Sequence, residues 1–209
     1  MASHKLKLIH KSRNILLDQL EFQGYNVLDY QNFSVNEIDA MVENNQLDMK
    51  AERTTDGSVV YVKYMIDGKS LRPQSLDDLV EDLFEIENIL TNKEKDMIVL
   101  VVQDEPNESI TSRLRYLFDK DGYYICVRTI QRLQFNVLNH VLVPRAKILD
   151  KNENLELMKQ LNVNNLKRLP EISRFDPQAL ALGIRPGQVV MFSRNSPTSL
   201  VAPYWRICV

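Results

Sequence analysis

Cysteine is nearly absent: Cys126 and Cys208 are the only two in 209 residues, and they form no CxxC pair. That excludes a disulfide framework and fits a reducing compartment. Histidine is almost as scarce, with His4, His10 and His140. Without HExxH or a Cys/His cluster no zinc site is expected, and no cofactor is implied. No apolar run approaches the ~18 residues a membrane span needs. The opening MASHKLKLIHKSRN lacks the apolar centre of a signal peptide and reads as helix. A soluble, intracellular protein with no membrane partner is expected. Glycine numbers only six, and GIRPG (183–187) lacks both the Walker lysine and GxGxxG spacing, so no phosphate cradle is indicated. Internal repeats and low-complexity stretches are missing as well.

What is present suits a globular chain. Hydrophobic residues make up 44% of the sequence, enough for a core without staples. Net charge is −2 but unevenly spread. Residues 138–209 hold 10 Lys and Arg against 5 Asp and Glu, a surplus of five positive charges. Residues 1–137 hold 16 against 23, a surplus of seven negative charges. Two domains are therefore expected, 1–137 and 138–209, with the boundary near 136–139. An acidic first half does not clamp nucleic acid by itself, because phosphate contacts need clustered cations.

Periodicity supplies the elements. Leu8, Ile15, Leu16 and Leu20 share a face of a helix over about Lys5–Gln23, closed at Gly24. Ser34 and Glu37 have capping-box spacing. Thr54-Thr55-Asp56-Gly57 marks a hairpin between two strands. Ser75 and Asp78 are read as opening the next helix, which puts Asp77 and Asp78 in its first turn, where acids favour the dipole. MIVLVV (97–102) is a continuous apolar run, a strand covered on both faces. A helix over about Ile110–Phe118, a strand Tyr123–Arg128 and a helix Ile130–Phe135 follow. The first half thus reads ααββαβαβα, a small mixed sheet with flanking helices. In the second half HVLVP (140–144) reads as extended, and Asp150 with Glu153 caps a helix. Asp176-Pro177 opens a short helix that Gly183 ends. Strands are expected over Gln188–Ser193 and Trp205–Val209. The fold class is α+β or mixed α/β.

Chemistry-bearing constellations are weak. Asp48, Glu52 and Lys63 resemble a metal-dependent nuclease set, but the carboxylate needed two residues before the lysine is Tyr61. Lone His140 has no nearby nucleophile in sequence to activate. Arg113, Arg115 and Lys120 form a modest basic cluster, read first as a solvated helix face. Arg185, Arg194 and Arg206 suit either loop pinning or forked bonds to a partner's carboxylates.

The pattern of the last seventy residues is more specific. His140, Leu142, Val143 and Pro144 are followed by Leu169, Pro170, Ile172, Asp176 and Pro177. Gly183, Gly187, Val189, Val190, Arg194, Ser196, Thr198 and Arg206 complete the series. This order resembles the fifth subunit shared by eukaryotic-type nuclear RNA polymerases, whose archaeal counterpart keeps only the C-terminal domain. Ser12–Val27 and Met97–Gln103 are similar to that family's eukaryotic jaw domain. The departures are Ala146 for a second histidine, Thr198-Ser199-Leu200 for the family's Thr-Ala-Gly, and Trp205-Arg206 for Tyr-Arg. Pro106-Asn107-Glu108-Ser109 also replaces Thr-Pro-Ser-Ala.

The resemblance implies a non-catalytic subunit of a multi-subunit DNA-directed RNA polymerase. Its second domain would dock on the largest subunit through His140, Pro144, Asp176, Gly183, Gly187, Arg194, Ser196 and Arg206. Its first domain would form part of the lower jaw, with Asn107, Ser109, Thr111 and Arg113 nearest downstream DNA. Other polymerase subunits are the implied partners, and no homo-oligomer is expected. A nuclear location is implied, or a virion or viral factory for a viral lineage. The rival readings are a nuclease on the first domain and a free-standing DNA-binding adaptor.

Overall fold

Helix α1 (Ala2–Phe22) opens the chain in the computed structural model, which describes residues 2–66 and 71–209. Ile9, Leu16, Leu17 and Leu20 are buried along it, as their helical spacing requires. Helix α2 (Val35–Glu43) starts with the expected capping box. The Ser34 hydroxyl accepts from the Glu37 amide, and the Glu37 carboxylate accepts from the Ser34 amide. Strands β1 (Met49–Glu52) and β2 (Val59–Met65) pair antiparallel across the Asp-Gly turn.

Helix α3 (Pro73–Glu81) begins earlier than its sequence suggests. Proline sits in the first turn after Arg72, so Ser75 and Asp78 lie inside the helix and do not open it. Proline fixes φ near its helical value and sacrifices only an amide that has no helical partner there. Asp77 therefore belongs to the second turn, where it pairs with Arg113 at 2.7 Å. The chain continues as a π-helical turn, Asp82–Ile86.

Strand β3 (Met97–Val102) is buried at every residue and pairs parallel with both β2 and β4 (Tyr124–Thr129). Since alternate residues face opposite sides, the sheet is covered on both. Between them α4 (Glu108–Asp121) is capped by Asn107 and ends at left-handed Gly122. The order β1-β2-β3-β4 gives the small mixed sheet anticipated. The expected last helix shrinks to a single 3-10 turn, Arg132–Gln134, interrupted by non-helical Leu133. Leu133 is buried there, and tertiary packing overrides its helical propensity.

The chain divides into two compact units, Met1–Phe135 and Asn136–Val209. The second is built on a four-stranded sheet in the order β5-β7-β8-β6. Its strands are β5 (Arg145–Ile148), β6 (Glu171–Ile172), β7 (Val189–Ser196) and β8 (Leu200–Cys208). Helix α5 (Lys151–Gln160) carries the Asp150–Glu153 capping box, and α6 (Pro177–Leu182) follows β6. Two clusters hold the unit together. One gathers Ile172, Ala179, Leu182, Ile184, Val190, Phe192 and Cys208. The other gathers Leu157, Leu169, Val189 and Ile207. Alternation along β7 sends neighbouring residues to different clusters, Val189 to the second and Val190 to the first.

Candidate functional site

The β7–β8 hairpin is longer than its sequence suggested, running unbroken from Val189 to Ser196 and from Leu200 to Cys208. Its far half outreaches β5, which pairs only with Val190–Ser193. The polar RNS stretch (194–196) lies beyond the strand expected to end at Ser193, yet it is strand, because Arg194 pairs Ala202 and Ser196 pairs Leu200. Phe192 and Tyr204 stack at 5.1 Å across the two strands. The Arg194 guanidinium lies 4.4 Å and that of Arg206 5.6 Å from the Tyr204 ring. Arg206 also donates to the Glu171 carbonyl at 2.8 Å.

Segment 140–144 is not extended. It forms a turn after a 3-10 turn at Val137–Asn139, with the Val143 amide bonded to the His140 carbonyl at 3.0 Å. His140 Nδ1 accepts from the Leu142 amide at 3.2 Å, a local bond that favours a turn over a strand. Gln178 of α6 donates to the Pro144 carbonyl at 2.8 Å and ties this turn to the helix. Asp176 caps α6 by accepting from the Gln178 and Ala179 amides. Gly183 ends it at φ +67, a conformation glycine adopts without Cβ strain.

Between turn and hairpin lies an open groove of about 1510 Å³. His140, Pro144, Asp176, Arg194 and Arg206, scattered over 67 positions, all line it. Gly183, Gly187 and Ser196 stand apart and shape the backbone. Gly187 donates its amide to the Cys208 carbonyl, and the Ser196 hydroxyl accepts from Thr198 and Ser199 in the turn. Sequence reasoning missed Arg145 and Tyr204, which line the groove too. A cation just after the HVLVP turn and an aromatic between two arginine positions were the available signals.

In the first unit the candidate residues are held by bonds within the fold. Asn107 caps α4, accepting from Ile110 at 3.0 Å and from the Ser109 hydroxyl at 2.7 Å. Thr111 bonds the Glu108 carbonyl, and Arg113 forks onto Asp77. Of the nuclease-like set, Asp48 is engaged within the fold: it accepts from the Tyr61 hydroxyl at 3.0 Å and the Tyr64 amide at 3.1 Å. Among the described residues no group of three His, Cys, Asp or Glu is placed to hold a metal. No described helix is long and apolar enough to cross a membrane.

Residues 135–208 match the family described as RNA polymerase Rpb5, C-terminal domain. The Thermococcus kodakarensis protein named DNA-directed RNA polymerase subunit Rpo5 is 41% identical over 76 residues, 36% of this chain and 92% of its own. The Archaeoglobus fulgidus protein of the same name is 35% identical over 77 residues, 37% of this chain and all of its own. The Nitrosopumilus maritimus one is 37% identical over 76 residues, 36% and 90% of the two chains. This chain belongs to the Rpb5 family. It is a non-catalytic subunit of a DNA-directed RNA polymerase and assembles with other polymerase subunits. The family match spans the unit that carries the groove, and the archaeal relatives are little more than that unit.

Proposed function

We propose that the second unit, taken as an assembly domain over 138–209, docks the chain on the largest polymerase subunit through the groove. The observation that carries this reading is the gathering of His140, Pro144, Asp176, Arg194 and Arg206 around one open surface. Arg145, Arg194 and Arg206 take part in none of the ion pairs among the described residues. Guanidinium forks left in this way suit carboxylates on another chain. Purification of the tagged chain from native extract tests the reading: the largest subunit should co-purify in proportion. Arg194→Ala should reduce that recovery while leaving the fold intact, and normal recovery by the variant counts against it.

The first unit, as a jaw over 1–137, lies beside entering duplex DNA and guides it without gripping it, in the nucleus. Its surplus of seven negative charges repels phosphate, and Asn107, Ser109, Thr111 and Arg113 are held by bonds within the fold. The isolated chain should therefore show no salt-sensitive duplex binding and no Mg²⁺-dependent cleavage. Either activity would favour the adaptor or the nuclease instead.

A further inference from the structure

The middle of the 140–144 turn is held by a side-chain acceptor that can be titrated. A backbone amide only donates, so the bond from the Leu142 amide to His140 Nδ1 at 3.2 Å requires a bare lone pair on that nitrogen. The ring is therefore neutral, with its proton on Nε2. A second ring proton would turn Nδ1 into a donor and set two N–H groups against each other. His140 is exposed, so solvent protons reach it. The other bonds fasten the ends of the turn: the His140 amide to the Val137 carbonyl, the Val143 amide to the His140 carbonyl, and Gln178 to the Pro144 carbonyl. The Leu142 amide has the ring nitrogen as its acceptor among the described residues.

Charge around the ring does not make up for losing that bond. The groove it lines takes Arg145 from β5, Arg194 from β7, and Arg206 with Tyr204 from β8. The 3-10 turn Val137–Asn139 brings no titratable group. Asp176, at the start of α6, is the one carboxylate lining the groove, and its Oδ1 already accepts from two α6 amides. A charged His140 thus meets three like charges and a single carboxylate that is already engaged.

We propose that the 140–144 turn is an acid-released clasp. Neutral His140 holds it closed, and protonation of the ring lets its middle open. Val141 and Leu142, 96% and 84% exposed, ride on the clasp, so its opening moves the aliphatic lip of the groove. Histidine is the side chain that changes charge between about pH 8 and pH 5, and the turn holds a single one. The clasp belongs to the free chain. Its consequence, weaker assembly in acid, rests on the docking reading above.

Nuclear magnetic resonance of the 15N-labelled full chain at about pH 8 and pH 5 tests the clasp. At the higher pH the His140 ring should carry its proton on Nε2 and none on Nδ1. The Leu142 amide, corrected for its intrinsic rate, should exchange several-fold faster at the lower pH, in step with the His140 ring signal. His140→Asn supplies an oxygen that accepts from the amide two residues on and does not titrate in this range. Its Leu142 amide should be equally protected at both pH values, whereas His140→Ala should lose protection at both. A ring protonated on Nδ1 at the higher pH, or a wild-type Leu142 amide whose protection ignores pH, overturns the proposal. For assembly, the recovery of polymerase subunits on the wild-type chain relative to His140→Asn should fall several-fold between about pH 7.5 and pH 5.5. A constant ratio overturns the regulatory role of the clasp. Failure of the wild-type chain to recover any subunit at the higher pH overturns the docking reading itself.

Discussion

Arg13 and Arg128 are buried in the first unit and are held by neutral partners. Arg13 donates to the Leu47 carbonyl at 2.8 Å and lies near the faces of Tyr30 and Phe33. Arg128 donates to Gln19 at 2.6 Å. Burial lowers the pKa of both from the usual arginine value, yet guanidinium stays charged across the accessible range. Burial acts on tyrosine in the opposite sense. The Tyr64 hydroxyl is shut away from solvent and its pKa is pushed up to about 12. A folded-state value above the unfolded value of about 10 leaves stability untouched below pH 10 and removes it as pH rises toward 12. Tyr64→Phe should therefore shift the alkaline unfolding midpoint upward, as circular dichroism against pH would record. Phe192, 1% exposed in the core of the second unit, should cost about 3–5 kcal/mol when cut to alanine, measured by urea unfolding. Sequence placed Phe192 within the expected strand Gln188–Ser193 and Tyr64 after the Asp-Gly hairpin turn. It could not show which hydroxyl would be sealed, because that depends on neighbours distant in sequence.

Local chemistry decides the elements that sequence made legible. Ser34–Glu37 and Asp150–Glu153 each close a reciprocal pair of hydrogen bonds within four residues, so their signal is complete in the sequence itself. Ser34→Ala and Asp150→Ala should each cost about 1 kcal/mol, read as a lowered denaturation midpoint. The Ser34 hydroxyl and amide depress the Glu37 pKa, and the Lys147 ammonium with the Asp150 amide depresses that of Glu153. A depressed folded value contributes stability above the unfolded carboxylate value and loses it as pH falls through the folded one. The gap in stability between wild type and Glu37→Ala should accordingly narrow as pH falls from neutral to below the ordinary carboxylate range. A gap that stays constant with pH contradicts this account of the cap. The fully buried β3 was legible for a related reason, since six apolar residues in a row need no knowledge of their partners. The start of α3, the 140–144 turn and the reach of β7 were not. Pro73 opens α3 and the His140–Leu142 bond turns the chain, two local signals weaker than the patterns around them, while the reach of β7 depends on its pairing with β8, Arg194 with Ala202.

At the scale of the whole molecule, charge and contact divide the chain in nearly the same place. The acidic stretch matches the unit Met1–Phe135, and the basic stretch matches Asn136–Val209. The archaeal relatives consist of little beyond the second unit, so that unit is sufficient as a polymerase subunit elsewhere. Five of the eight docking candidates drawn from motif order in the sequence line one groove. Arg145 and Tyr204 escaped notice, since their convergence on one groove is not written in residue order. The most direct measurement is recovery of polymerase subunits on tagged 136–209 and on tagged 1–135, each expressed beside the host polymerase. The account predicts that 136–209 brings down the largest subunit about as well as the full chain and that 1–135 does not. Recovery by 1–135 alone would contradict it.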